Sequence, residues 1–183
     1  MFVRTERLLL RPGWIEEAPV LAAAIGEEAV LRNLARAPYP YLLSDAQAFL
    51  AHEDATLPAL QIFTRTGRGT RLIGGVGLHR DAAGEVELGY WIARPYWGLG
   101  FATEAGEAMI ALGHGSLRCR RIVASHFIDN PASGRVLRKL GFRPTGATAP
   151  RFSAGRGGEV TSLLFARDMD DEMPEPDMRA LAA

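Results

Sequence analysis

The chain has little of several features that would place it in a specialised class of protein. Its one cysteine, Cys119, has no partner for an internal disulfide, which favours a reducing compartment such as the cytoplasm. No run approaches the roughly 18 apolar residues of a membrane span, and the charged N-terminus is unlike a signal peptide. Lys plus Arg and Asp plus Glu are 21 each, so no basic excess suggests nucleic-acid binding. The four histidines show no metal-ligand spacing, so we predict no metal site.

What the chain does contain is typical of a globular domain. It has 183 residues, of which 48% are hydrophobic and 23% are charged, enough for a substantial core. No internal repeat or domain linker is evident. We therefore expect one domain over residues 1–167, followed by a poorly ordered tail over 168–183 that is acidic and contains Pro and Met.

The hydrophobic pattern predicts a chain of mixed α and β structure. The expected strands are 3–11, 60–66, 70–80, 85–93, 120–128, 142–149 and 159–167. The expected helices lie within 15–35, from Ser44 to about 53, over 100–113, and from Pro131 to Gly141. Turn-like residues at 67–69 and 81–84 indicate an antiparallel meander. Glycines 74, 75 and 77 suggest a bulge or close ligand approach in its middle strand.

The most informative segment is ELGYWIARPYWGLGFATEA, residues 87–105. It predicts a strand, a turn containing Gly98 and Gly100, and the start of a helix, which together direct free backbone N–H groups at one spot suited to a phosphate. A Walker loop would need Lys and then Ser or Thr after the second glycine, where Phe101 and Ala102 stand. A Rossmann fingerprint would need a third glycine, where Thr103 stands. Two interpretations of these glycines remain, namely a pyrophosphate cradle for coenzyme A and a simple tight turn.

Three segments resemble the GNAT N-acetyltransferase superfamily, and most closely its ribosomal-protein N-acetyltransferase-like (RimJ/RimL-type) branch. They are TERLLLRP at 5–12, the segment at 87–105, and NPASGRVLRKLGF at 130–142, in family order and spacing. One position departs from the superfamily pattern, since Pro95 stands where Gln or Arg is frequent. The resemblance implies an α+β acyl-CoA N-acyltransferase fold. Its central mixed, mostly antiparallel sheet has splayed parallel strands and helices on both faces.

The resemblance also implies where acetyl-CoA binds. The strand ending near Ile92 would offer its backbone to pantetheine, and the cradle would hold the pyrophosphate. The implied coenzyme contacts are Trp91, Ile92, Ala93, Trp97, Gly98, Leu99, Gly100, Ala102, Thr103, Asn130 and Ser133. Ser133 would assist the leaving sulfur, with local backbone bonding as the alternative. Asn130 also suits a helix cap. Arg135, Arg138 and Lys139 form either a solvated helix face or a phosphate-attracting cluster.

For the general base we predict Glu87, which alternation places on one strand face with Glu85, Gly89 and Trp91. A carboxylate among apolar neighbours would have a raised pKa and would accept a proton from an ammonium group. Alternatives are Glu85, Glu159 and bulk water, and a simple Glu–Arg pair is also open. None of the four histidines has a clear role, although His79 and His126 lie at strand ends where they would line the cleft. Cys119 as a nucleophile lacks an evident histidine partner.

Three functions remain open at this stage. The leading one is an acetyl-CoA-dependent N-acetyltransferase, monomeric or homodimeric, with a primary amine acceptor on a protein N-terminus or a small molecule. The second is an acyl-CoA-binding sensor without turnover. The third, a nucleotide-binding oxidoreductase, is opposed by the missing glycine. No nucleic-acid or membrane partner is expected.

Overall fold

A computed structural model describes residues 1–51, 56–66 and 69–169. Its strands are β1 (Val3–Arg4), β2 (Leu8–Arg11), β3 (Ala59–Thr66), β4 (Gly69–Arg80), β5 (Val86–Ile92), β6 (Arg121–Phe127), β7 (Arg143–Ser153) and β8 (Gly158–Asp168). Its helices are α1 (Ala18–Ile25), α2 (Glu28–Leu31), α3 (Leu43–Ala51), α4 (Phe101–Gly115) and α5 (Pro131–Lys139). No helix in these ranges is both long and apolar enough to cross a bilayer.

All eight strands form one sheet in the order β1-β2-β3-β4-β5-β6-β8-β7. Every neighbouring pair is antiparallel except β5 and β6, which are parallel. Within the described residues, β5 and β6 are paired only at Glu87 and Val123, whereas β4 and β5 pair from Gly74–Ile92 to Arg80–Val86. The two central parallel strands therefore separate after Glu87. The predicted mixed sheet with splayed parallel strands is confirmed.

Helices cover both faces of this sheet, and the side chains of β5 alternate between them. Leu88 and Ile92 pack in a core cluster with Met109 of α4. Trp91 packs on the other face, against clusters that include Leu21 of α1 and Val30 of α2. Helix α5 packs Leu137 into the cluster that contains Met109, because the apolar side chains of this short helix lie on one side of it. We call these two surfaces of the sheet the α4–α5 face and the α1–α3 face.

Several element boundaries differ from the sequence prediction. The first strand is divided at Thr5–Arg7, because the Leu8 N–H donates to Thr5 Oγ1 and forms a local turn. Helix α3 begins at Leu43 rather than after Ser44, and Asp45 Oδ2 accepts from the Leu42 N–H instead.

The predicted bulge in β4 is present. Ile62 pairs with Gly74 and Phe63 with Leu72, so Ile73 is the extra residue. Strand β8 runs through Asp168, one residue past the predicted strand end at 167, and the Met169 side chain is buried. The predicted turn at 67–68, His52, the end of helix α3 near 53, and the tail over 170–183 lie outside the described residues.

Candidate active site

A cavity of about 730 Å³ opens where β5 and β6 separate. Its lining includes Glu87 and Trp91 from the α1–α3 face and Tyr90 and Ser133 from the α4–α5 face. The residues from the two faces therefore share one space. An additional, more open depression of about 840 Å³ borders the outer side of α4 and shares Gly100, Thr103 and Lys139 with it.

The turn before α4 has the geometry of an anion cradle. Gly98 and Gly100 have φ of +76° and +83°, the left-handed region that disfavours side chains. A Cβ at Gly98 would meet no atom within 4 Å, so the space in front of the turn is open. The first helical bond is donated by the Glu104 N–H to the Gly100 carbonyl, which leaves the N–H groups of residues 101–103 without intrahelical partners. These groups suit an anionic ligand.

Two side chains hold this turn in place. The Trp97 indole Nε1–H donates to the Ile92 carbonyl at 2.6 Å, which ties the turn to the end of β5. Arg7 Nη1 donates to the Leu99 carbonyl at 3.0 Å, while Arg7 Nε pairs with Glu104 Oε2 at 2.6 Å. Glu104, although it lies in the first turn of α4, is engaged by the N-terminal segment and does not fill the cradle.

The backbone of β5 faces the gap at alternate residues. The Ala93 N–H donates to the Ile73 carbonyl on the β4 side at 2.8 Å. Because backbone groups alternate in direction along a strand, those of Tyr90 and Ile92 point away from β4, towards β6. β6 does not pair at these positions within the described residues. An extended amide-containing ligand can hydrogen-bond there, with the Ile92 carbonyl already taken by Trp97.

Ser133 lies in the first turn of α5, and its hydroxyl is oriented across the cavity. Asn130 is the helix cap, since its Oδ1 accepts from the Ser133 N–H at 3.3 Å. The Ser133 Oγ lies 2.7 Å from the Tyr90 hydroxyl, and the same hydroxyl donates to the Ser133 carbonyl at 3.2 Å. Burial raises the pKa of Tyr90 to about 12 against the opposing effect of the Ser133 hydrogen bond, so the phenol stays protonated at neutral pH. The Ser133 hydroxyl thus bonds to a partly buried phenol rather than to the local backbone.

Glu87 is the centre of a polar cluster on the α1–α3 face. Arg151 of β7 forms a bidentate ion pair with it, in which the Nη1–Oε1 and Nη2–Oε2 distances are both 2.6 Å. Ser125 of β6 donates to Oε1 at 2.9 Å, and His79 Nε2 lies 3.1 Å from Oε2. The Glu87 side chain is only 5% exposed, compared with 34% for Arg151, so the guanidinium lies between the carboxylate and solvent.

The predicted rise in the pKa of Glu87 is wrong. Burial alone raises it, but hydrogen bonds from His79 and Arg151, the charge of Arg151 and the Ser125 hydroxyl together lower the pKa to about 2. Instead of apolar neighbours, the fold places the Arg151 cation and two further donor atoms, Ser125 Oγ and His79 Nε2, around the carboxylate. Glu87 is therefore ionised and paired at neutral pH.

The cavity brings together most of the predicted site residues. Those lining it are Glu87, Trp91, Ile92, Trp97, Gly98, Gly100, Ala102, Thr103, Asn130 and Ser133. Ala93 and Leu99 are not part of this lining, because Ala93 is buried beside β4 and the Leu99 side chain is exposed. The Trp91 side chain is on the face opposite the cradle.

The alternative site residues divide in the same way. His79 and His126 line the cavity, as do Arg135 and Lys139. Glu85 and Glu159 do not, and Arg138 lies over the Phe165 ring, 5.7 Å from its centroid. Cys119 is also outside the lining, and burial raises the pKa of its thiol against the effect of Arg80, which does not favour a nucleophile. Among the described residues no group of three or more acidic, His or Cys side chains is placed to hold a metal.

Sequence reasoning missed Tyr90, Ser125 and Arg151. Alternation along β5 was sufficient to place Tyr90 on the face opposite Glu87. No local sequence pattern indicated that Arg151 belongs to the site, because it is 64 residues from Glu87 and reaches it only through the pairing of β7 with β8.

Comparison with known proteins identifies the class to which this fold and cavity belong. The family profile described as "Acetyltransferase (GNAT) domain" matches residues 7–143, and the chain belongs to this GNAT acetyltransferase family. The chain is 30% identical over 159 residues to the uncharacterized N-acetyltransferase YoaA of Bacillus subtilis (strain 168), covering 79% of this chain and 84% of that protein. The superfamily recognised from the three sequence segments is confirmed.

Solved structures share the fold at low identity. One is RimL, a ribosomal L7/L12 α-N-protein acetyltransferase in complex with coenzyme A, with TM-score 0.77, 18% identity, and coverage of 94% of this chain and 100% of that chain. Another is the microcin C7 self-immunity acetyltransferase MccE in complex with acetyl-CoA and AMP, with TM-score 0.75, 18% identity, and coverage of 90% and 94%. A ribosomal-protein acetyltransferase is thus among the structures that share this architecture.

Proposed function

We propose that the protein transfers the acetyl group of acetyl-CoA to a primary amine, by direct attack of the amine on the thioester in a ternary complex. One observation carries the proposal: a single cavity opens to both faces of the sheet at the gap between β5 and β6. Coenzyme entering from the α4–α5 face and an amine entering from the α1–α3 face would meet in that gap. Two substrates held in contact need no covalent acyl-enzyme.

The α4–α5 face suits coenzyme A. The open cradle at Gly98 and Gly100 fits a pyrophosphate, and the gap-facing backbone of Tyr90 and Ile92 fits the pantetheine amides. Arg135 and Lys139 line the cavity beside the cradle, where their charges favour the coenzyme's phosphates. The related MccE was solved with acetyl-CoA and RimL with coenzyme A.

Ser133 and Tyr90 are proposed to assist departure of the thiolate. The Tyr90 hydroxyl lies 2.7 Å from Ser133 Oγ, and either oxygen can donate in this contact. When the phenol turns its hydrogen from the Ser133 carbonyl to Oγ, the serine hydrogen is free to point at the sulfur. That hydrogen bond strengthens as negative charge builds on sulfur, so it favours the transition state over the bound substrate. Asn130 fixes the position of Ser133 by accepting from the Ser133 backbone N–H, and because it also lines the cavity it would contact the coenzyme as well.

The α1–α3 side of the cavity favours an amine attached to an apolar group without a second positive charge. Its apolar lining includes Leu21, Ile25, Val30, Leu34, Tyr41 and Phe49. Within the described residues Glu87 is the one carboxylate of the lining, and Arg151 already neutralises it. Arg36 adds an exposed cation with no ion pair among those residues. Polyamines and aminoglycosides, which need several free carboxylates, fit this surface poorly.

A thiol-release assay with acetyl-CoA tests this function. The acceptor panel is a tripeptide of alanine, phenylalanine and leucine with a free N-terminus, 2-phenylethylamine, spermidine and kanamycin. We expect the first two to turn over faster than the polycations, and their ratio separates a protein N-terminus from a small amine. Calorimetric binding of coenzyme A without turnover on any acceptor would favour the acyl-CoA sensor instead, and absence of binding would refute both.

A further inference from the structure

The carboxylate of Glu87 has no free position for the proton of an amine. An ionised carboxylate offers about four lone-pair sites. In this cluster Oε1 accepts from Ser125 Oγ and Arg151 Nη1, and Oε2 accepts from His79 Nε2 and Arg151 Nη2. A low pKa adds to this saturation, since a group that ionises near pH 2 retains a proton poorly at neutral pH.

The same contacts determine which nitrogen of His79 carries hydrogen. Because the ionised carboxylate can only accept, the 3.1 Å contact requires that His79 Nε2 donate to Glu87 Oε2. In the neutral imidazole the other nitrogen, Nδ1, then holds a lone pair. The carboxylate selects the tautomer and the orientation of the ring, as carboxylates do for metal-bound histidines.

The position of the ring suits contact with an acceptor. His79 pairs with Glu87 across β4 and β5, so the two side chains share the α1–α3 face. The ring lies over Gly89, where a Cβ would be 3.3 Å from Cε1 and 3.7 Å from Nδ1. The absence of a side chain at Gly89 thus makes room for the imidazole. His79 lines the cavity and its side chain is 27% exposed, five times the fraction of Glu87.

We propose that His79 Nδ1, rather than Glu87, accepts the proton that the acceptor amine loses, and that Glu87 is a positioning residue for His79. This inference rests on the proposed acetyl transfer. As the C–N bond forms, an N–H bond of the amine breaks and its proton passes to Nδ1, and the C–S bond then breaks with the electron pair leaving on sulfur. The resulting imidazolium faces Glu87 of β5 and Arg151 of β7, with Asp81 acting on Arg151 at longer range. Release of the proton to solvent or to the thiolate restores His79.

The tautomer is tested without any acceptor, by NMR of the full-length protein labelled with ¹⁵N-histidine. The His79 signals are assigned from their loss in His79→Gln. In the neutral ring we expect a protonated Nε2 and an unprotonated Nδ1 in the wild type, and loss of that preference in Glu87→Gln. A ring protonated at Nδ1 and bare at Nε2 would overturn the inference.

The proton transfer is tested by thiol release with the most active acceptor of the panel. We expect His79→Gln to lower kcat at pH 7 by about 10²-fold, as removal of a general base does. The deficit should shrink as pH rises, because hydroxide then takes the proton in place of the imidazole. Affinity for coenzyme A, measured by calorimetry, should be unchanged. His114→Gln in α4, outside the cavity lining, is the matched control and should retain wild-type rates.

Different results would overturn the role of His79 and the proposed acetyl transfer. A wild type that turns over, with His79→Gln equally active or with a deficit independent of pH, overturns the role of His79 and leaves acetyl transfer intact. A wild type that releases no thiol with any acceptor overturns acetyl transfer and, with it, this inference.

Discussion

The Glu87–Arg151 pair should make a measurable, pH-dependent contribution to folding. The perturbation is Glu87→Gln, which keeps the size of the side chain and removes its charge. The pKa of Glu87 falls from 4.5 to about 2 in the folded protein. At about 1.4 kcal/mol per unit, this corresponds to roughly 3 kcal/mol at pH 7. Removal of one partner from a buried ion pair typically costs about 3–5 kcal/mol, which agrees.

The sign follows from the direction of the shift. Because the pKa is lower in the folded state, the stabilisation is complete above about pH 5 and is lost as pH falls through 4.5 towards 2. The amide introduced by Glu87→Gln does not ionise, so the variant lacks this pH-dependent stabilisation. The gap between wild type and variant should therefore shrink from about 3 kcal/mol at pH 7 to about 1 kcal/mol at pH 3.

Urea unfolding followed by circular dichroism at both pH values measures this gap. At pH 7 the variant should also melt roughly 6–12 °C lower for a chain of this size. Glu159→Gln is the control, because Glu159 is exposed and its replacement should change stability by less than about 0.5 kcal/mol. A Glu87→Gln gap below about 1 kcal/mol at pH 7, or one that does not change with pH, would refute the buried ion pair as a stabilising element.

Three further predictions concern the coenzyme side. Ser133→Ala should lower kcat by about 10²–10⁴-fold, with coenzyme affinity and Tm nearly unchanged. Tyr90→Phe should lower kcat less. A lower Tm with full kcat in Ser133→Ala would instead make Ser133 a structural residue. Gly98→Leu should abolish calorimetric coenzyme A binding, whereas Gly84→Leu, with a similar positive φ and equally open surroundings, should bear the same backbone strain and bind normally. Equal binding of coenzyme A by both variants would exclude the turn at Gly98 as its binding site. Trp97→Phe, which removes the donor to the Ile92 carbonyl, should weaken coenzyme binding several-fold, as read by the same titration, and unaltered affinity would show that the tie is dispensable.

Local sequence signals were sufficient for the architecture. Strand and helix patterns depend on neighbouring residues, so most elements, the β4 bulge and the Asn130 cap agree with prediction. The cradle was identifiable for the same reason, since Gly98, Gly100 and the start of α4 are contiguous in sequence. The segments that resemble the GNAT family are likewise short and local.

The electrostatics of the site were decided only by tertiary structure. Glu87, His79, Ser125 and Arg151 come from four strands, and no local pattern states that Arg151 would cover the carboxylate. A pKa depends on every charge and donor within a few ångströms, whatever their distance along the chain. The sequence by itself therefore determined the fold and the glycine turn before α4, whereas the folded sheet determined that Glu87 is ionised and paired and that His79 lies beside it.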